Sequence, residues 1–147
     1  MATLQSANIT IMIKAARKAS GKLKRDYGEI EQLQVSKKGQ ADFVTVADIR
    51  TEEILHDTLS HARPEYGFLM EESGTIIGDD PNRRWIIDPI DGTTNFIHGI
   101  PHFAISIALE EKGEITAGVI YEPIHDQMFW AEKGNGAWLN DRRMRVS

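Results

Sequence analysis

The 147-residue sequence contains no cysteine. This absence excludes disulfide bonds, thiolate metal ligands and cysteine nucleophiles. Long hydrophobic runs are missing too, since no apolar stretch approaches the roughly 18 residues that a membrane-spanning helix needs. The amino-terminal sequence MATLQSANITIMIKAARKAS lacks the charged-then-apolar layout of a signal peptide. We therefore expect a cytoplasmic protein that does not associate with membranes.

An excess of positive charge is also absent, because 17 basic residues stand against 22 acidic residues and give a formal net charge of -5. A negative protein repels nucleic acid overall and is not attracted to an anionic membrane. With 5 prolines and 12 glycines, the chain does not have the composition of a disordered segment. A chain of this length buries roughly 68–70% of its unfolded surface, which is enough for one packed domain.

The first part of the chain shows helical periodicity. Apolar residues recur at steps of three and four from Met12 to Ile30 and predict an amphipathic helix. The opposite face of this helix is basic between Lys14 and Arg25. That face is interpreted as solvated surface, with a docking face for an acidic partner as the alternative.

The pattern changes after residue 40. Residues Ala41 to Asp48 are predicted to be extended and to lead into a second helix through Leu55, with Asp48 as its N-cap. Mostly adjacent strands after two helices predict an α+β fold, in which two amino-terminal helices pack on a largely antiparallel β-sheet. The predicted strands are Gly67 to Met70, Arg84 to Ile87, Phe103 to Leu109, Ile115 to Tyr121, Gln127 to Ala131 and Ala137 to Leu139.

Acidic residues follow two of these strands. Glu71 and Glu72 come after the first strand, while Asp88 and Asp91 come after the second. Pro89 restricts its own backbone and that of Asp88, so the chain is expected to turn as it leaves the sheet. Clustered carboxylates repel each other unless a cation lies among them, and oxygen ligands favour Mg²⁺ or Mn²⁺ over Zn²⁺. The sequence therefore predicts a magnesium site.

The segment Gly92 to Phe96 is predicted to be the first turn of a helix, whose free N–H groups would bind a phosphate beside the metal. Each residue also has a simpler interpretation when taken alone. Asp91 or Thr93 can cap a helix, Asp88 can form a turn, and the pair at 71–72 can be solvated. Their combination after two strong strands favours the metal site.

Nucleophilic catalysis finds no support in the sequence. Ser73 lacks a Gly-x-Ser-x-Gly frame. His98 and His102 have the spacing of a helical metal pair, but Gly99 and Pro101 between them argue against a helix, so both are interpreted as surface or packing residues.

The most specific signal is the run Trp-Ile-Ile-Asp-Pro-Ile-Asp-Gly-Thr-Thr-Asn-Phe at residues 85–96. It resembles the signature of the inositol monophosphatase family, whose wider relatives include fructose bisphosphatases and phosphoadenosine phosphatases. The whole chain resembles the amino-terminal half of that family, the first half of a layered αβαβα sugar phosphatase fold. Further matching segments are residues 42–45 with 48, 71–73, 118–123 and 134–139.

The resemblance implies a set of metal ligands. Glu71, Asp88 and the backbone carbonyl of Ile90 would hold a first magnesium ion, and Asp88 and Asp91 would hold a second. Glu71 would also reach a third, more weakly bound ion.

It also implies catalytic and phosphate-binding roles. Thr93 and Asp48 would form a hydrogen-bonded pair that orients and deprotonates the attacking water. Glu72 would lie beside the cluster as a supporting catalytic carboxylate, and Asp42 would support the same loop. The N–H groups of Gly92 and Thr93 would bind the phosphate.

The chain departs from the family pattern in two places. Met70 stands where the family often has glycine, a difference expected to be tolerated, and Lys37 is matched to a lysine near the metal only weakly because Lys38 is adjacent. The family also continues beyond the position of Ser147 with a second half that supplies another aspartate and selects the substrate. Residues 1–147 are thus expected to form an amino-terminal metal-binding domain without that carboxy-terminal half, and to be incomplete for full activity.

The implied function is magnesium-dependent, lithium-sensitive hydrolysis of a phosphate monoester such as inositol 1-phosphate, by metal-activated water and without a phosphoenzyme. Members of the family commonly dimerise. An alternative is a non-catalytic interaction module, because SuhB-type bacterial members are associated with transcription antitermination and RNA polymerase. A phosphatase for fructose bisphosphate or phosphoadenosine phosphate is a further alternative.

Overall fold

The structure is a computed structural model that describes residues 5–32 and 37–146. The described residues form three helices and eight strands. The helices are α1 (Ala7–Gln32), α2 (Lys37–Ala62) and α3 (Thr93–Ile97). The strands are β1 (Tyr66–Met70), β2 (Gly74–Ile76), β3 (Asp80–Asp91), β4 (Ala104–Glu111), β5 (Glu114–Glu122), β6 (Gln127–Glu132), β7 (Gly136–Leu139) and β8 (Arg142–Arg143).

All eight described strands belong to one sheet with the order β2-β1-β3-β4-β5-β6-β7-β8. Neighbouring strands are antiparallel except β1 and β3, which run parallel. The helix α1 contacts β4, β5 and β6, while α2 contacts β3. The predicted α+β fold, with two amino-terminal helices on a largely antiparallel sheet, is confirmed.

The core lies between these helices and the sheet. Helix α1 follows its predicted apolar stripe and buries Met12, Ala16 and Leu23 completely. Alternate residues of β4 face this layer, as the period of two along a strand requires. Each large apolar side chain buried here contributes roughly 1.5–3 kcal/mol of transfer free energy.

The prediction of an extended segment over Ala41 to Asp48 is wrong, because α2 is continuous from Lys37 to Ala62. Asp48 consequently lies inside the helix and is not its N-cap. Val44, Ala47 and Leu55 are all buried at helical spacing, which explains the difference. Burial of this stripe against the core outweighs the weak β preference of valine and threonine.

Strand β3 is longer than predicted and begins at Asp80 instead of Arg84. The turn expected directly after the second predicted strand is a bulge within the strand, since Asp88 pairs with Ser106 and Asp91 with Ala104. A bulge inserts an extra residue and bends the strand locally, so the Asp-Pro-Ile-Asp segment changes direction without leaving the sheet.

The chain crosses from β2 to β3 against the backbone at the beginning of β1. Gly78 touches this backbone so closely that an added Cβ would lie 2.4 Å from the carbonyl oxygen of Glu65. The amide of Asp80 donates to the same carbonyl at 2.8 Å. Because a side chain cannot fit at Gly78, this glycine lets β3 run parallel to β1.

The sheet face turned away from α1 and α2 is less well covered. Side chains of β4, β5, β6 and β7 line a shallow apolar cavity of about 370 Å³ on this face, and Ile120 is 47% exposed there. Within residues 5–32 and 37–146, none of the helices combines the length and the apolar character that a membrane crossing requires.

We predict that Gly78→Ala destabilises the protein by about 1–3 kcal/mol, because the new methyl group must displace backbone at the crossing. Urea unfolding followed by circular dichroism measures this change. Gly118→Ala is the matched control, since a Cβ on Gly118 meets nothing within 4 Å, and it should stay within about 0.5 kcal/mol of the parent. Equal stability of the Gly78 variant and the parent would contradict the proposed crossing.

Candidate metal centre

The parallel pairing of β1 and β3 brings two acidic strand ends together. Met70 is the register partner of Ile87, so Glu71 and Asp88 follow at neighbouring positions on the same edge of the sheet. Asp88 is also among the neighbours that raise the pKa of Glu71. The structure thus places the two predicted strand ends side by side at this pair.

Helix α2 adds a third side chain to the same place. Asp48, Glu71 and Glu72 each offer a carboxylate oxygen, and these oxygens lie within 4.8 Å of one another. Asp48 is buried at 5% exposure, whereas Glu71 and Glu72 are exposed. We call Asp48, Glu71, Glu72 and Asp88 the acidic cluster.

The acidic cluster carries unneutralised negative charge. Burial raises the pKa of Asp48 from 3.8 to about 7, with further increases from the charges of Glu72, Asp88 and Glu52. Burial, the hydrogen bond to Asp88 and the nearby charges likewise raise the pKa of Glu71 from 4.5 to about 7. Both shifts mean that the folded chain resists ionisation of these groups.

Two buried oxygens of the acidic cluster are unsatisfied. Asp48 Oδ1 and Asp88 Oδ1 have no hydrogen-bond partner within the described part of the chain. Buried acceptors without partners are costly, and a cation would satisfy them. Because all potential metal ligands in the acidic cluster are carboxylate oxygens, the cluster fits a hard divalent cation better than a soft one.

Glu52, which was not among the site residues predicted from the sequence, is buried at 2% exposure. It lies on α2 one turn after Asp48 and accepts hydrogen bonds from the Glu72 amide at 3.1 Å and the Ser73 hydroxyl at 2.9 Å. The available signal was an acid at a buried position of the helical stripe, between Thr51 and Leu55. The second predicted helix already included Glu52, but the burial of this acid was not predicted.

The residues after Asp88 lie farther along β3. Asp91 is exposed. Neither Asp91 nor Asp88 belongs to the three carboxylates whose oxygens lie within 4.8 Å of one another. Ile90 is buried, and its carbonyl accepts the Thr93 hydroxyl at 3.1 Å. The Thr93 hydroxyl thus bonds to Ile90 in this structure and not to Asp48.

Gly92 precedes α3 in a left-handed conformation, with φ 95° and ψ 38°. An added Cβ would lie 2.9 Å from the His102 carbonyl oxygen, so glycine is required for both reasons. The predicted helix start is confirmed, since α3 begins at Thr93 and buries Phe96. The first backbone N–H groups of a helix have no hydrogen-bond acceptor within the helix.

Four other residues considered in the sequence are either exposed or have a side chain outside the described part of the structure. His98 and His102 are exposed, and His102 stacks on His125 with ring centroids 6.1 Å apart. Asp42 is exposed on α2. The prediction for Lys37 concerns a side chain outside the described residues.

A sequence profile of the inositol monophosphatase family matches residues 5–147. The chain belongs to the inositol monophosphatase family. It is 56% identical over 143 residues to the inositol-1-monophosphatase of Mesorhizobium japonicum, covering 97% of this chain and 54% of that protein. It is 42% identical over 139 residues to the Nus factor SuhB of Escherichia coli, covering 95% of this chain and 52% of that protein.

A solved structure supports the same family assignment. The extragenic suppressor protein suhB from Bartonella henselae superposes with a TM-score of 0.87 at 60% identity. The superposition covers 97% of this chain and 55% of that structure. The chain therefore spans about half the length of the inositol monophosphatase relatives that it matches.

We predict that Asp48→Asn stabilises the metal-free protein by about 2 kcal/mol at pH 8 and by less at pH 5. A raised pKa means that the folded state binds its proton more tightly than the unfolded state, so stability falls between pH 4 and the folded pKa of about 7. Asparagine does not ionise, so the variant does not lose this stability as the pH rises. Urea titrations in EDTA at both pH values test the prediction.

The control for this pH dependence is Glu53→Gln, on the exposed side of α2. It should show no pH-dependent difference from the parent chain. Equal gains for Asp48→Asn at pH 5 and pH 8 would contradict the assignment of a raised pKa to Asp48.

Proposed function

We propose that this chain provides the metal centre of a magnesium-dependent, lithium-sensitive phosphatase that hydrolyses inositol monophosphate to inositol and phosphate. One observation carries the proposal: carboxylates from α2 and from the turn after β1 lie together beside Asp88 of β3, and buried oxygens of Asp48 and Asp88 are unsatisfied. The inositol-1-monophosphatase name of a relative at 56% identity supports the choice of substrate. A cytoplasmic location stays a prediction from the sequence.

The proposed metal ligands come from the acidic cluster and from the segment of β3 that follows it. Glu71 and Asp88 would hold the cation, because they lie side by side at the end of the parallel strand pair. The Ile90 carbonyl and the Asp91 carboxylate would complete the ligands from the bulge that follows. To act as a ligand, the Ile90 carbonyl would have to share or give up the hydrogen bond that it accepts from Thr93.

A bound magnesium ion supplies charge stabilisation for phosphate oxygens and makes water a better nucleophile at neutral pH. Asp48 would accept the proton of that water at a carboxylate oxygen, because its Oδ1 lies in the acidic cluster without a hydrogen-bond partner among the described residues. Glu72 would support this role as a neighbouring carboxylate, because its oxygen lies within 4.8 Å of an Asp48 oxygen. Thr93 would orient the water through its hydroxyl group.

The phosphate would lie at the start of α3. The N–H groups of Gly92 and Thr93 belong to the first turn, where helical amides are free to bind an anion. The left-handed backbone conformation of Gly92 redirects the chain from the bulge of β3 into this turn. Metal ligands and phosphate donors would thus come from one continuous segment, residues 88–93.

A second candidate function is an interaction role in transcription antitermination or with RNA polymerase. The observation that favours it is the name Nus factor SuhB, carried by relatives at 42% identity. Homodimer formation and the use of fructose bisphosphate or phosphoadenosine phosphate stay predictions from the family resemblance.

Phosphate release from inositol 1-phosphate tests the proposed reaction, measured for this chain and for a version extended to the length of its relatives. We expect magnesium-dependent release that lithium inhibits in the extended protein and that EDTA abolishes. Asp88→Asn should lower the rate at least about 100-fold, because a charged ligand is lost. No release by either protein, under conditions where both are folded, would favour the interaction role.

Asp91→Asn is predicted to weaken magnesium binding about tenfold or more while leaving the fold intact, because Asp91 is an exposed carboxylate and not a packing group. Calorimetric titration measures the affinity, and circular dichroism checks the fold. Asp79→Asn, an exposed acid before β3, is the matched control and should bind magnesium like the parent. Unchanged affinity in the Asp91 variant would exclude Asp91 as a ligand.

A further inference from the structure

Glu52 is a buried acid for which the proposed reaction has no use. Only 2% of its surface is exposed, and it lies on the same face of α2 as Asp48, four residues later. Burying a carboxylate is costly unless its oxygens find hydrogen-bond donors. Its donors therefore indicate what the side chain does.

Both donors belong to one short turn. The Glu72 amide donates to Oε1 of Glu52 at 3.1 Å, and the Ser73 hydroxyl donates to Oε2 at 2.9 Å. This turn, residues 71–73, connects β1 to β2 just beyond the last register pair, Met70 with Gly74. The ladder between β1 and β2 stops before the turn. The hydrogen bonds to Glu52 therefore connect an exposed turn to the buried face of α2.

The same turn carries Glu71, which follows Met70 at the edge where Asp88 follows Ile87, and whose carboxylate oxygen lies within 4.8 Å of an Asp48 oxygen. Glu71 is exposed and lies just beyond the last register pair of β1 and β2, so this pairing does not fix the orientation of its side chain. Anchoring of the next two residues limits this freedom. Side chains that orient metal ligands in this way typically change metal affinity 10–100-fold when they are removed.

We propose that Glu52 is a positioning residue that holds the turn at residues 71–73 and thereby directs Glu71 into the metal centre. The inference rests on the proposed function, because it takes Glu71 as a cation ligand. The competing explanation is that Glu52 only stabilises the fold. The two differ in whether metal affinity changes in the folded protein.

Mn²⁺ binding, followed by electron paramagnetic resonance at a temperature where every variant is folded, separates these explanations. Glu52→Ala should weaken Mn²⁺ binding about 10–100-fold. Glu52→Gln should restore part of the affinity, because its carbonyl oxygen still accepts the Glu72 amide and its NH₂ group can donate to the Ser73 hydroxyl. Should Glu52→Ala not fold, Ser73→Ala takes its place with a loss of several-fold, since one anchoring bond remains.

Thr51→Ala is the matched control, because Thr51 is fully buried in the same turn of α2 and donates only to Ala47 within that helix. It should lower stability without changing Mn²⁺ affinity. Hydrogen exchange of the Glu72 amide in the metal-free protein gives a second measurement. Exchange should become at least about tenfold faster in Glu52→Ala and stay unchanged in Thr51→Ala.

Three results would count against the inference. Parent-like Mn²⁺ affinity in Glu52→Ala would show that Glu52 only stabilises the fold, and an equal loss in Thr51→Ala would show that general loosening of α2 is responsible. Failure of the unmodified chain to bind Mn²⁺ would overturn the proposed function together with this inference.

Discussion

Electrostatic repulsion among carboxylates that the fold holds together is the constraint on which this site depends. The parallel pairing of β1 and β3 sets Glu71 beside Asp88, and α2 directs Asp48 to the same point. The folded chain then holds acids that resist ionisation near neutral pH, as their raised pKa values show. Binding of a cation would remove this repulsion, so metal binding and folding stability are expected to be linked.

This arrangement in turn depends on backbone packing at the other end of the strands. A parallel pair within a largely antiparallel sheet requires the chain to return past the beginning of β1 before β3 can start. Gly78 makes that return possible, because its missing Cβ lets two backbone segments touch. A packing requirement near Glu65 thus determines which residues meet beyond Met70 and Ile87.

Much of this could be predicted from local patterns. The stripe of α1 and the alternation in β4 follow from burial of one face, and acids after apolar strands indicated the metal centre. The helical state of residues 41–48 could not be predicted in this way, because their β preference yields only to contacts with a distant core. Glu52 was missed for a related reason, since its partners Glu72 and Ser73 lie 20 and 21 residues away. The bulge of β3 between Asp88 and Asp91 likewise depends on pairing with β4.

The placement of Asp48 and Glu52 on one face of α2 limits how this segment of the sequence can vary in length. An α-helix turns by about 100° per residue, so four residues bring the second acid nearly back above the first. A one-residue insertion or deletion between them would rotate one acid relative to the other by that angle, and no substitution elsewhere in the helix could correct it. We therefore expect the four-residue spacing to matter more than the identity of the exposed residues within it.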